Sequence, residues 1–126
     1  MELKRVVVTG LGAVTPIGNN PEETWNNMLN GVSGAAPITL FDASSFKTQF
    51  ACEVKNLKVN DYIDRKEARK MDRYAQLAII AAMQAMQDSG LNLDEEDKNR
   101  IGVIYGVGIG GIKTFEEEVG YWATHQ

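Results

Sequence analysis

The sequence has little with which to build disulfide or metal chemistry. Its 126 residues include a single cysteine, Cys52, and a single histidine, His125. One cysteine excludes an internal disulfide, and one of each excludes a Cys/His zinc site. Cys52 has no histidine near it in sequence to act as a base, and it reads as an inert, buried thiol on the apolar face of a strand. No apolar run approaches the roughly 20 residues that a membrane helix needs. Cationic excess is missing as well: the net charge is −4, which argues mildly against nucleic acid as the main partner. Met1-Glu2-Leu3-Lys4-Arg5 leads straight into a strand-like run, with no signal-peptide pattern. These absences point to a reducing, cytoplasmic setting.

What is present is globular, with 44% apolar and 24% charged residues, enough for one domain with a core. Val6-Val7-Val8-Thr9-Gly10 and Ile101-Gly102-Val103-Ile104-Tyr105-Gly106 each read as a strand buried on both faces, as in a parallel sheet covered by helices. Asn20-Pro21-Glu22-Glu23 reads as a helix start, with Asn20 as cap, Pro21 in the first turn and Glu23 at the capping-box position. Trp25, Met28 and Leu29 form its apolar face, and Gly31 stops it. Residues 31–47 read as a long loop. Phe50, Cys52 and Val54 alternate with polar neighbours, the period of a half-buried strand.

Asp64-Arg65-Lys66-Glu67 opens a long helix expected to run to Gly90, with Asp64 as cap and apolar positions from Met71 to Met86. A last amphipathic helix begins near Lys113, with Phe115, Val119 and Trp122 on one face. The alternation of strand and helix predicts an α/β layered fold. It stops before its sheet is complete, so residues 1–126 read as part of a longer domain.

Three constellations carry the functional argument. Gly10-Leu11-Gly12 follows a strand, but Thr15 stands where a dinucleotide-binding turn needs its third glycine, so tight backbone packing is the better reading. Gly106-Val107-Gly108-Ile109-Gly110-Gly111 lacks the Gly-Lys-Ser/Thr ending of a phosphate loop. Its glycines still demand a reason for bare backbone, either a ligand or close packing, and Ile109 is a bulky side chain set among them. Finally, Asp64–Arg73 holds five cations against three anions in a chain of net charge −4. Lys66, Arg69, Lys70 and Arg73 would share one helix face. Cations in the first turns oppose the helix dipole, so this segment is either a solvated face paired with its acids or a docking patch for an anionic partner.

Together, Arg5 to Gly18, Arg65 to Arg73 and Gly106 to Gly111 resemble the β-ketoacyl-[acyl carrier protein] synthases of type II fatty-acid synthesis, over essentially the whole chain and in the right order. Ile109 points to the synthase II branch, since synthase I members tend to have glycine there. Val107 departs from it, where serine is common. The resemblance implies a thiolase-like αβαβα layered fold, with most of its first half in this chain, and a homodimer of longer chains.

It also implies a condensing acyltransferase of fatty-acid biosynthesis with no cofactor and no metal. A cysteine takes the acyl group from the phosphopantetheine arm of acyl carrier protein. Two histidines assist decarboxylation of malonyl-carrier protein, and the carbanion attacks the acyl thioester. None of those catalytic residues has a counterpart in residues 1–126. Two assignments do carry over: Lys66, Arg69 and Lys70 as the carrier-docking positions, and Ile109 as the acyl-pocket residue, set in a loop made by Gly106, Gly108, Gly110 and Gly111. A non-catalytic chain-length partner of a ketosynthase shares these features and is the alternative, ahead of a nucleotide-binding oxidoreductase.

Overall fold

The computed structural model describes residues 3–125. They divide into two compact units: the residues up to Leu57 with Ala81–Gly90, and Lys58–Ile80 with the residues from Leu91 onward.

In the first unit, helix α1 spans Pro21–Leu29. Its start is the expected one. The Asn20 side chain accepts from the Glu23 N–H at 2.8 Å, and Glu23 reaches back, one residue further than a capping box requires, to the N–H of Asn19 at 2.7 Å. Its end is a paired Schellman closure, Gly31 N–H to Met28 O at 3.1 Å and Val32 N–H to Asn27 O at 2.9 Å. The loop expected after it contains a strand. β1 (Ala36–Pro37) pairs antiparallel with β2 (Phe50–Ala51), in the register Ala36 to Ala51 and Pro37 to Phe50. Glu53 closes the loop between them, accepting from the Thr39 hydroxyl at 2.6 Å and the Thr39 N–H at 3.0 Å. These bonds, the hydroxyl first, hold its carboxyl below the usual value of 4.5.

The long helix expected from Asp64 is two helices. α2 covers only Arg65–Ala68, and α3 runs Arg73–Ser89. Asp64 does cap α2, accepting from the Lys66 N–H at 2.8 Å. The break falls at Asp72, a residue better suited to a cap than to a helix interior. Its carbonyl accepts the Gln76 N–H at 3.1 Å and starts α3. Helix α4 spans Ile112–Thr124, close to the expected start.

The buried core is small among the described residues: Ala43, Ile63, Ala68 and Ile80, the last at 0% exposure. Where Ala81–Gly90 belongs to the first unit, α3 lies against the segment after Val8. A methyl group added at Gly12 would stand 1.8 Å from the Ala81 carbonyl oxygen, and one at Gly10 would stand 2.1 Å from that of Ala85. These two glycines therefore serve close approach to a helix, which disfavours the dinucleotide reading.

Three further sequence expectations fail. Val6–Gly10 and Ile101–Gly106 are not strands; Val6 is 89% and Ile104 is 99% exposed. A strand exists only where a neighbouring backbone satisfies its N–H and C=O groups, and no described residue supplies one. Cys52 is exposed, not buried, because strand pairing ends at Ala51. No helix among the described residues is long and apolar enough to cross a membrane.

Candidate functional site

The basic segment is a helix turn followed by a bend, so its cations do not line one helix face. Lys66 sits on α2, Arg69 and Lys70 occupy the turn after it, and Arg73 begins α3. All four are exposed. Lys70 pairs with Glu67 at 2.7 Å across an open surface, where such a pair contributes little. Arg73 donates to the Gln76 side chain at 3.3 Å. Lys66 and Arg69 have no such acidic partner among the described residues. The solvated-face reading therefore accounts for Lys70 better than for Lys66 or Arg69. Arg65 and Arg69 border a shallow concavity of about 280 Å³ with Val59, Asn60, Ala68 and Gln76. Gln76 stiffens it by donating to the Ala68 carbonyl at 2.8 Å.

The glycine-rich loop lies beside the other end of this segment. Ile109 is 74% exposed and lines a concavity of about 270 Å³ with Asp72, Tyr74, Leu77, Gly111 and Ile112. Its apolar walls, Leu77, Ile112 and the Tyr74 ring, suit an alkyl group, and Asp72, Arg73 and Lys113 add charge of both signs to the lining. The four glycines behave differently from one another. Gly106 and Gly108 have open space where a Cβ would stand. At Gly110 an added Cβ would meet the Tyr74 ring at 3.0 Å, and Gly111 holds a left-handed φ of +67°.

The sequence reading missed Asp72. It accepts a hydrogen bond from the Thr114 hydroxyl and its other oxygen faces Gly111. The available signal was an aspartate inside an apparent helix, where it is a poor interior residue but a good boundary. Gln84 and Asp88 were also missed. They accept from the N–H groups of Ala13 at 3.0 Å and Leu11 at 2.8 Å, and their signal was polarity on the glycine-facing side of α3. No group of three potential metal ligands occurs among the described residues.

Residues 3–125 match the beta-ketoacyl synthase N-terminal domain. The chain belongs to the β-ketoacyl synthase family. Among its curated relatives, the 3-oxoacyl-[acyl-carrier-protein] synthase 2 of Staphylococcus aureus strain COL is 50% identical over 113 residues, 90% of this chain and 27% of the relative. The enzyme of the same name from Synechocystis is 47% identical over 118 residues, 94% of this chain and 28% of the relative. This β-ketoacyl synthase segment thus spans about a quarter of the length of the curated relatives it matches.

Solved structures agree on a ketosynthase fold. One is a type II PKS acyl-carrier protein in complex with its ketosynthase bound to the hexaketide, with a TM-score of 0.74, 30% identity, and coverage of 94% of this chain and 30% of that one. The other, the ishigamide ketosynthase/chain length factor, gives a TM-score of 0.64 and 38% identity over 71% of this chain and 22% of that one.

Proposed function

We propose that this chain is the N-terminal part of a condensing acyltransferase that elongates acyl chains on acyl carrier protein. In this reading the complete enzyme is a cytoplasmic homodimer with the layered αβαβα fold, and residues outside this segment supply its cysteine and histidines. Val6–Gly10 and Ile101–Gly106 then pair with strands contributed from outside residues 3–125. Their exposure supports this, because unpaired β-branched runs are a liability that native sheets cover. By itself the segment has no condensing activity and tends to associate through that apolar surface.

The observation that carries the functional reading is the exposed cluster of Lys66, Arg69 and Lys70 beside the turn that leads to the Ile109 concavity. An acidic carrier fits the first feature, and an acyl tail fits the second. The solved ketosynthase neighbour in complex with its acyl-carrier protein supports such a partner.

The test is charge reversal of Lys66, Arg69 and Lys70 to glutamate in the complete synthase. Carrier-protein binding should weaken about ten- to a hundredfold, mainly in on-rate and salt dependence. Turnover of a small pantetheine thioester should be largely spared. Equal loss on both substrates would make the patch structural.

A second reading is a non-catalytic chain-length partner, favoured by the likeness to the ishigamide ketosynthase/chain length factor. Covalent acylation of the complete protein by an acyl thioester, read by intact mass, separates the two. The condensing enzyme gains one acyl group, and the partner gains none.

A further inference from the structure

Between the docking segment and the Ile109 loop stands one carboxylate. Asp72 ends the turn that holds Arg69 and Lys70, and its carbonyl begins α3 by accepting from Gln76 N–H at 3.1 Å. Its side chain turns to the other element. Oδ1 accepts from the Thr114 hydroxyl. Oδ2 lies 2.9 Å from where a Cβ on Gly111 would stand, at a residue whose φ of +67° already favours glycine.

Gly111 is the N-cap of α4 and has no side chain with which to cap it, and its carbonyl accepts the first helical bond from Phe115 N–H at 2.9 Å. A carboxylate at this helix start is favoured by the dipole. Asp72 thus holds this helix start from outside the chain segment, through the Thr114 hydroxyl. Gly110 is confined as well, by the Tyr74 ring. Ile109 is the next residue back along the chain, and it shares its concavity with Asp72.

We propose that Asp72 is a positioning residue: by holding Thr114 and the Gly111 turn, it fixes where Ile109 stands and so sets the longest acyl chain that the synthase accepts. This rests on the reading of Ile109 as an acyl-pocket residue. It goes beyond that reading by placing control of chain length in the same short segment that receives the carrier. With the bond intact, Ile109 is held across the pocket. With it lost, the loop keeps only its packing against the Tyr74 ring, and Ile109 can move aside for a longer tail.

The experiment compares kcat/KM for a short and a long acyl primer, both delivered on carrier protein, in the complete synthase. Thr114→Val removes the donor with little change in volume, and should raise the long-to-short ratio about two- to tenfold, the range of a single hydrogen bond. Thr114→Ser restores the hydroxyl and should restore the wild-type ratio, which a purely structural role for the threonine would not require. Asp72→Asn keeps the shape and an acceptor but loses the charge that strengthens the bond. It should shift the ratio in the same direction by a smaller factor, and Asp72→Ala, which removes the acceptor, serves if Thr114→Val does not fold.

Ile109→Phe is run in parallel and should lower the long-to-short ratio. If Ile109→Phe shifts the ratio while Thr114→Val and Asp72→Asn leave it unchanged, or reduce both primers equally, the role of Asp72 is refuted and the pocket stands. If Ile109→Phe itself leaves the ratio unchanged, the pocket reading fails and the proposal falls with it.

Discussion

Two stretches of this chain look alike in sequence and are held in opposite ways. Each is a run of β-branched residues that ends in glycines, Val6 to Gly12 in one case and Ile101 to Gly111 in the other. After Val8 the backbone is gripped by a helix. Leu11 and Ala13 donate to Asp88 and Gln84, Gln84 in turn donates to the Asn19 carbonyl at 2.7 Å, and Gly10 and Gly12 admit the α3 backbone. From Gly102 to Gly108 nothing comparable exists among the described residues, and only Gly110 and Gly111 meet a neighbour, at Tyr74 and Asp72. Glycine in the first stretch is required by packing. In the second it is bare backbone, gathered toward the loop that carries Ile109.

The sharpest way to break this contrast is a methyl group. Gly12→Ala should cost the chain about 3 kcal/mol or more in a denaturant melt, because the new Cβ would stand 1.8 Å from a backbone oxygen that cannot swing away. Next in size is Gln84→Leu, which leaves the Ala13 N–H and the Asn19 carbonyl without their partner in a partly buried setting. It should cost about 2 kcal/mol by the same measurement. Gln84→Glu keeps the acceptor and loses the donor, so it should fall between Leu and wild type.

A smaller effect is expected at Thr39, and it fades in acid. Glu53 has its pKa lowered by the Thr39 bonds. Its contribution is therefore present above the unfolded-state value and lost as pH falls through the lower folded one. Thr39→Val removes the hydroxyl, so denaturant melts should show a small loss of stability near pH 7 that disappears once the pH falls below the folded-state value of Glu53. Smallest of all is Gly106→Ala, where nothing stands within 4 Å of the new methyl. It should change the melt of this chain by about 0.5 kcal/mol or less. If the same substitution inactivates the complete synthase, the second stretch is gripped there by another part of the protein.

The parts legible in the sequence were those decided by neighbours along the chain. Asn20 with Pro21 located the start of α1, Gly31 its end, and Asp64 the cap of α2, because capping chemistry needs only a few adjacent residues. The Ile109 loop stood out because glycines are costly unless bare backbone is needed. What could not be read depended on partners distant in sequence. Three valines specify a strand only if another strand arrives, and Cys52 is buried only if the pairing at Ala51 continues. The break at Asp72 was hidden for a similar reason. The cationic and apolar periodicities continue through it, while the group that explains it, Thr114, lies 42 positions away.

The bond from Leu11 to Asp88 joins residues 77 positions apart, and that separation has a meaning in time. At a synthesis rate of about 5–20 residues per second, the start of the chain waits roughly 4–15 s for its clamp to leave the ribosome. Closing so long a loop also carries an entropic cost before any contact is gained, which slows the step further. During that interval Val6, Val7 and Val8 are an extended apolar run with no hydrogen-bonding neighbour, the kind of segment that pairs with whatever strand edge it meets. Nascent chains of this protein should therefore be chaperone clients beyond the completion of α3, because Val6, Val7 and Val8 stay exposed with it in place. The side chains of Gln84 and Asp88 fix only the backbone after the valines, at Ala13 and Leu11, and so aim the run toward the strand that must cover it.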